Sequence, residues 1–132
     1  MDLLHNLALG FSVLADPMTI VYSLIGVVCG VIIGALPGLG PSVGIAVLLP
    51  MCYGLDPACA LCMLCGIYYG AMYGGSITSI LINTPGDAPA IVTCLDGYPL
   101  MQQGRGGFAL GISAISSFVG GLFGIIVLIF LA

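Results

Sequence analysis

The sequence predicts an all-α, polytopic integral membrane protein with about three spanning helices and two Pro-Gly-interrupted elements, broken or re-entrant. Three observations carry this. Of 132 residues, 61% are hydrophobic and 5% charged, with a mean hydropathy of +1.29, whereas a soluble domain carries roughly 25% charged residues. No charged side chain occurs between Pro17 and Leu55. That stretch is nonetheless interrupted by Pro37-Gly38-Leu39-Gly40-Pro41. In hydrocarbon every backbone N–H and C=O needs an internal partner, so a break there survives only where protein covers it or a cavity lies beside it.

Three segments are apolar enough to span the lipid bilayer: Pro17 to Leu36, Pro57 to Ile82 and Gly106 to Ala132. At 1.5 Å per residue the first gives about 30 Å of helix, the thickness of a bilayer core. Leu3 to Leu14 is too short to cross and belongs at the interface or in the bundle. The start, Met1-Asp2, lacks the basic region of a cleavable signal peptide. Two spans begin alike, at Asp16-Pro17 and Asp56-Pro57. Aspartate accepts from the orphan N–H groups of a first turn, and proline has no N–H to satisfy there. Both aspartates are read as caps.

Glycine recurs every fourth residue: Gly26, Gly30 and Gly34, then Gly66, Gly70 and Gly74, then Gly120 and Gly124. Such spacing leaves one helix face bare, so another backbone can approach closely. Tyr68, Tyr69 and Tyr73 surround the second of these grooves and are expected to pack there, hydroxyls bonded to neighbouring backbone. A second break, Asn83-Thr84-Pro85-Gly86-Asp87-Ala88-Pro89, follows the second span. Both breaks contain Pro-Gly-x-x-Pro, 48 residues apart. Beyond it, Ile91 to Leu95 is a short apolar return, Asp96-Gly97-Tyr98-Pro99 a predicted turn, and Met101 to Gly107 a predicted polar loop.

Several chemistries are excluded. The net charge of −4 comes from five aspartates against one arginine, so a nucleic-acid partner is not expected. Without lysine there is neither a Walker A lysine nor a Schiff base. One histidine, His5, makes no zinc or haem cluster. The chain does not read as an enzyme. Cys59, Cys62 and Cys65 have C-x2-C-x2-C spacing, part of an iron–sulfur run. On a helix, however, they spread over about 120° of its surface, which suits buried small residues. Cys29, Cys52 and Cys94 are scattered, and no disulfide framework or metal is expected. Arg105 alone informs orientation, and it puts the Asp96 to Gly107 loop on the cytoplasmic side.

What remains is binding. Discontinuous helices in corresponding places point to a transporter's site. The candidate substrate and ion residues are Pro37, Gly38, Gly40, Pro41, Ser42, Asn83, Thr84, Pro85, Gly86 and Asp87. Helices beginning after Pro41 and near Ala88 or Pro89 would aim N–H groups into the breaks and favour a carboxylate. Ser42, Asn83 and Thr84 offer side-chain bonds, and the carbonyls of Leu36 and Ile82 offer oxygens to a coupling cation, Na+ or H+ being the candidates. Asp87 reads equally as a cap for the following turn or as an ion or proton residue.

These motifs also carry a family resemblance. Gly34-Ala35-Leu36-Pro37-Gly38-Leu39-Gly40-Pro41, Ile67-Tyr68-Tyr69-Gly70-Ala71-Met72-Tyr73-Gly74-Gly75-Ser76-Ile77, Asn83-Thr84-Pro85-Gly86 and Asp96-Gly97-Tyr98-Pro99 closely resemble the large membrane subunit of tripartite tricarboxylate transporters, the TctA family. The likeness runs from about Leu7 to Gly124. It implies a multi-pass secondary transporter of the bacterial inner membrane, driven by an ion gradient. Its implied partners are a small TctB-like membrane subunit and a TctC-like periplasmic solute-binding protein that delivers the carboxylate. The family's large subunit is several times longer, so residues 1–132 are expected to be its N-terminal part, truncated after Ala132. Asp87 departs from the pattern, standing where glutamate is common. Two other functions fit the composition: a non-transporting membrane scaffold held by glycine grooves, and a membrane redox protein built on Cys59, Cys62 and Cys65.

Overall fold

The computed structural model describes residues 3–131. The expectations for Met1-Asp2 and Ala132 lie outside the described residues. Six α-helices follow in order: α1 (Leu3–Leu14), α2 (Pro17–Gly34), α3 (Pro41–Leu48), α4 (Pro57–Ile82), α5 (Ala90–Gln102) and α6 (Gly106–Leu131), with a 3-10 turn at Leu49–Cys52. No strand occurs among the described residues. The helices α2, α4 and α6 are long and apolar enough to cross a membrane.

The centre of the fold is the contact between α2 and α4. A Cβ placed on Gly26 would meet the Met63 backbone, on Gly30 that of Ile67, and on Gly34 that of Ala71. From the other side, Gly66 faces the Ser23 carbonyl, Gly70 that of Val27 and Gly74 that of Val31. All six glycines are buried, and each allows backbone against backbone, which in lipid replaces the hydrophobic effect as the source of helix association. The matched positions ascend together, so α2 and α4 run parallel. Met63, Ile67, Ala71 and Ile80 form most of the core.

Parallel neighbours require the chain to return between them. The return is α3, the 3-10 turn and residues 53–56. Eight helical residues, four in the 3-10 turn and a four-residue connection reach about 33 Å, enough to recross the roughly 27 Å of α2. Hydropathy alone does not count this broken crossing as a span, because no single element in it reaches membrane length. Gly44 fixes its position, lying 3.4 Å from Ile67 Cγ2 and 3.6 Å from Ile33 Cγ2 if given a Cβ.

Three local expectations are corrected. The segment Asp96 to Pro99 is not a turn but lies inside α5, with Pro99 in the helix interior. Gly97 is buried against Ile80, and this packing of α5 on α4 outweighs the local turn signal. The polar loop shrinks to residues 103–105, turned by Gly104 at φ +76°, because Met101 and Gln102 finish α5 and Gly106 packs on Met101. Among the tyrosines, Tyr73 behaves as expected, its hydroxyl donating to Leu110 O at 3.4 Å. Tyr68 and Tyr69 are instead exposed, and they meet edge to face at 6.0 Å.

The caps also divide. Asp56 Oδ2 accepts from the Ala58 N–H at 3.2 Å, whereas Asp16 occupies the cap position without a side-chain hydrogen bond. Of the three closely spaced cysteines, Cys59 is buried, Cys62 half-buried and Cys65 exposed, so the last does not pack as a small core residue. Among the described residues no three His, Cys, Asp or Glu side chains group as metal ligands.

Two apposed helix breaks

The first break begins where α2 ends. Leu36 N–H donates to Ile33 O, and Leu39 N–H to Leu36 O at 3.1 Å. Gly38 then takes φ +83°, a conformation that a side chain disfavours. Gly40 is extended and Pro41 opens α3. Gly40 O accepts from Val43 and Gly44 N–H, closing the first turn, with Ser42 exposed upon it.

The second break is a doubling back. Asn83 ends α4 in the left-handed region, φ 55° and ψ 32°, with its N–H on Thr78 O. Thr84 turns its hydroxyl onto Ile82 O at 3.2 Å. Pro85 follows, and Gly86 comes down against the body of α4: a Cβ there would lie 2.5 Å from Gly75 Cα and 2.6 Å from Gly34 O. The break thus meets α4 seven residues, or about 10 Å, short of that helix's end. From there α5 climbs along α4, since Gly97 lies against Ile80.

The two breaks touch. Gly38 N–H donates to Gly86 O at 3.2 Å. A Cβ on Gly40 would lie 3.7 Å from Asp87 Cβ. Asp87 is half-buried and its Oδ1 accepts from Ala90 N–H at 3.3 Å, the capping role that was one of its two expected uses. Of the candidate residues, the fold therefore gathers Gly38, Gly40, Gly86 and Asp87. It leaves Ser42 and Asn83 exposed. The two carbonyls offered to a cation already accept, Leu36 O from Leu39 N–H and Ile82 O from the Thr84 hydroxyl.

The two helices that carry the breaks, α2 and α4, are related by a local pseudo-two-fold axis. Adding 40 to the number of each α2 glycine gives its α4 counterpart, and the contacts transform with it: Gly26 on Met63 becomes Gly66 on Ser23, and Gly30 on Ile67 becomes Gly70 on Val27. Thr19 and Cys59, also 40 apart, meet each other across the axis at 3.3 Å. In the breaks the offset is 48, because α4 has 26 residues and α2 has 18, eight fewer. Gly38 and Gly86 are counterparts in the motif at that offset and bond to each other, but Gly38 has open space around it while Gly86 is packed on Gly75 and Gly34, so the two-fold relation stops at the helices.

Sequence reasoning missed one constellation. An open cleft of about 500 Å³ between α4, α5 and α6 is lined by Ser76, Thr93, Asp96, Ser113, Ser116 and Ser117 together with Ile80, Val92, Leu100 and Ile112. The signal was available as serines at i, i+3 and i+4 on a helix that is otherwise apolar.

A polytopic helical membrane protein whose two interrupted elements touch has the makings of a transporter component. The family model described as "Tripartite tricarboxylate transporter TctA family" matches residues 20–132, and the chain belongs to that family. Its members are transporter components, not enzymes. An "Uncharacterized 52.8 kDa protein in TAR-I ttuC' 3'region" from Agrobacterium vitis is 47% identical over 121 residues, which are 92% of this chain and 24% of that protein. The chain therefore spans about a quarter of the length of this relative. No solved structure matches this chain.

Proposed function

We propose that this chain forms part of the membrane subunit of an ion-gradient-driven tripartite tricarboxylate transporter, and that its two breaks contribute to the carboxylate site. The reading places it in a bacterial inner membrane, beside a small membrane subunit, receiving a carboxylate from a periplasmic solute-binding protein. The observation that carries it is the Gly38 to Gly86 hydrogen bond, which brings two interrupted helices to one place. The starts of α3 and α5 flank that place, and helix starts favour anions. Asp87 sets the sign of the difficulty: a bound carboxylate must keep clear of it or share a cation or proton with it.

The test is equilibrium binding of labelled citrate to the chain in lipid nanodiscs. Gly38 has open space around it, so Gly38→Leu perturbs the backbone of the break without a clash. At least a tenfold loss of affinity is expected. Unchanged binding in Gly38→Leu removes the breaks from the site. A wild-type chain that folds but binds no carboxylate favours the scaffold reading.

A further inference from the structure

On α4, Leu61, Cys65, Tyr68 and Met72 recur at spacings of four, three and four, the period of a coiled-coil seam. Tyr68 and Met72 stand two residues beyond Gly66 and Gly70, about 200° around the helix, so the seam lies opposite the glycines that pack on α2. Leu61, Cys65 and Tyr68 are exposed and Met72 is half-buried. The next position at this spacing is Gly75, which is buried beneath Gly86 of the second break. The chain thus covers one end of the stripe with its own backbone and leaves the rest open. Tyr68 and Tyr69 stand on the open part, at the middle of a helix long and apolar enough to span and roughly 16 to 20 Å from either end of it. Tyrosine in membrane proteins otherwise gathers at the interfaces. Tyr73 bonds its hydroxyl to Leu110 O, whereas among the described residues Tyr68 and Tyr69 have no hydrogen-bond partner. Lipid offers none at that depth, and an unbonded hydroxyl in hydrocarbon is costly.

We propose that this seam is the contact between α4 and the same helix of a second copy of the chain, with the Tyr68 and Tyr69 hydroxyls bonded across it. Two features select a second copy as the occupant. A tyrosine hydroxyl both donates and accepts, so two identical faces satisfy each other where a lipid chain or a wholly apolar helix cannot. Copies inserted with one orientation meet about a two-fold axis along the membrane normal, and in such a parallel pair each seam residue lies beside its own counterpart. Cys65 then approaches Cys65 of the second copy. The seam ends one turn short of Gly75, so the pairing holds the rigid body of α4 and leaves the second break on its seat. The proposal does not rest on the transporter reading above.

The experiment measures self-association in liposomes, by Förster transfer between copies labelled at their amino termini and diluted with lipid. Wild type is expected to dimerise, and the double variant Tyr68→Phe, Tyr69→Phe, which keeps both rings and loses only exposed hydroxyls, to do so at least fivefold more weakly. Oxidation with copper phenanthroline on the same samples should cross-link wild type as a dimer, because Cys65 is the one exposed cysteine, and Cys65→Ser should abolish the cross-link. Gly120→Leu, on the open face of α6, should dimerise like wild type. A wild-type chain that folds but stays monomeric overturns the proposal, and so does a dimer whose affinity is unchanged by loss of the two hydroxyls. A dimer weakened by Gly120→Leu but not by the tyrosine substitutions moves the contact to α6 and overturns it too. Should the double variant fail to fold, the cross-link decides: its absence in wild type, or its persistence in Cys65→Ser, rejects the seam.

Discussion

In the unit from Pro17 to Leu48 the helix stops level with its break, whereas in the unit from Pro57 to Gln102 the helix overshoots by eight residues and the chain doubles back to reach the same height. Both units open with Asp-Pro, carry three glycines at fourfold spacing and continue into Pro-Gly-x-x-Pro. The glycine faces obey a two-fold relation and contribute the backbone packing. The parts that differ carry different side chains: the overshoot carries Ser76, Ile80 and the left-handed Asn83, and the second break places Asp87 where the first has Leu39. Symmetry builds the frame of this molecule, and departure from it brings the second break back against the first.

The most damaging way to break the comparison is at the shared glycines. Gly30→Ala would put a methyl carbon 2.9 Å from Ile67 Cα, and Gly70→Ala would put one 3.0 Å from Val31 N. Backbone cannot give as a flexible side chain does, so each is expected to destabilise by about 3 kcal/mol, the upper end for overpacking. Unfolding of the purified protein in a denaturing-detergent titration would measure this. The two-fold relation predicts losses of similar size, and Gly111→Ala, which meets nothing within 4 Å, should cost nothing measurable. A large difference between Gly30→Ala and Gly70→Ala would undo the symmetry.

Next in size are the breaks themselves, where counterparts should differ. Gly86→Ala clashes with Gly75 and Gly34 and is expected to cost about 2 to 3 kcal/mol. Gly38→Ala finds open space but sits at φ +83°, so it carries only the strain of the left-handed region, about 1 kcal/mol. The same titration orders them. Equal losses would mean that the second break is not seated on α4.

These residues also show what could be read without a structure. Asp-Pro starts and glycine periods are local and repetitive, so the starts and faces of α2 and α4 were legible, while α2 stops at Gly34, two residues before the expected Leu36. The pairing of the breaks was visible only as a repeated motif. Whether two motifs 48 residues apart meet depends on α2 and α4 running parallel, which no local pattern states. Asp96-Gly97-Tyr98-Pro99 misled for the opposite reason: its residues favour a turn, but Gly97 is needed bare against Ile80, and tertiary packing outweighed propensity. The serines of α6 were in plain view as a helical stripe, yet that they share a cleft with Thr93 and Asp96 is visible only in the fold.

The smallest predicted effect separates the two Asp-Pro starts. Asp56 accepts from Ala58 N–H, while Asp16 makes no such bond, so Asp56→Ala should cost about 1 kcal/mol and Asp16→Ala no more than about 0.5 kcal/mol from the helix dipole. Asparagine sharpens the distinction, because it keeps an accepting oxygen and loses the charge. Asp56→Asn should therefore retain most of the stability that Asp56→Ala loses. At position 16 the two substitutions should be indistinguishable, since only charge is at stake there. If Asp16→Ala instead matched Asp56→Ala and asparagine rescued both, the two caps would be equivalent in the membrane. The asymmetry between the units would then begin at their breaks and not at their first turns.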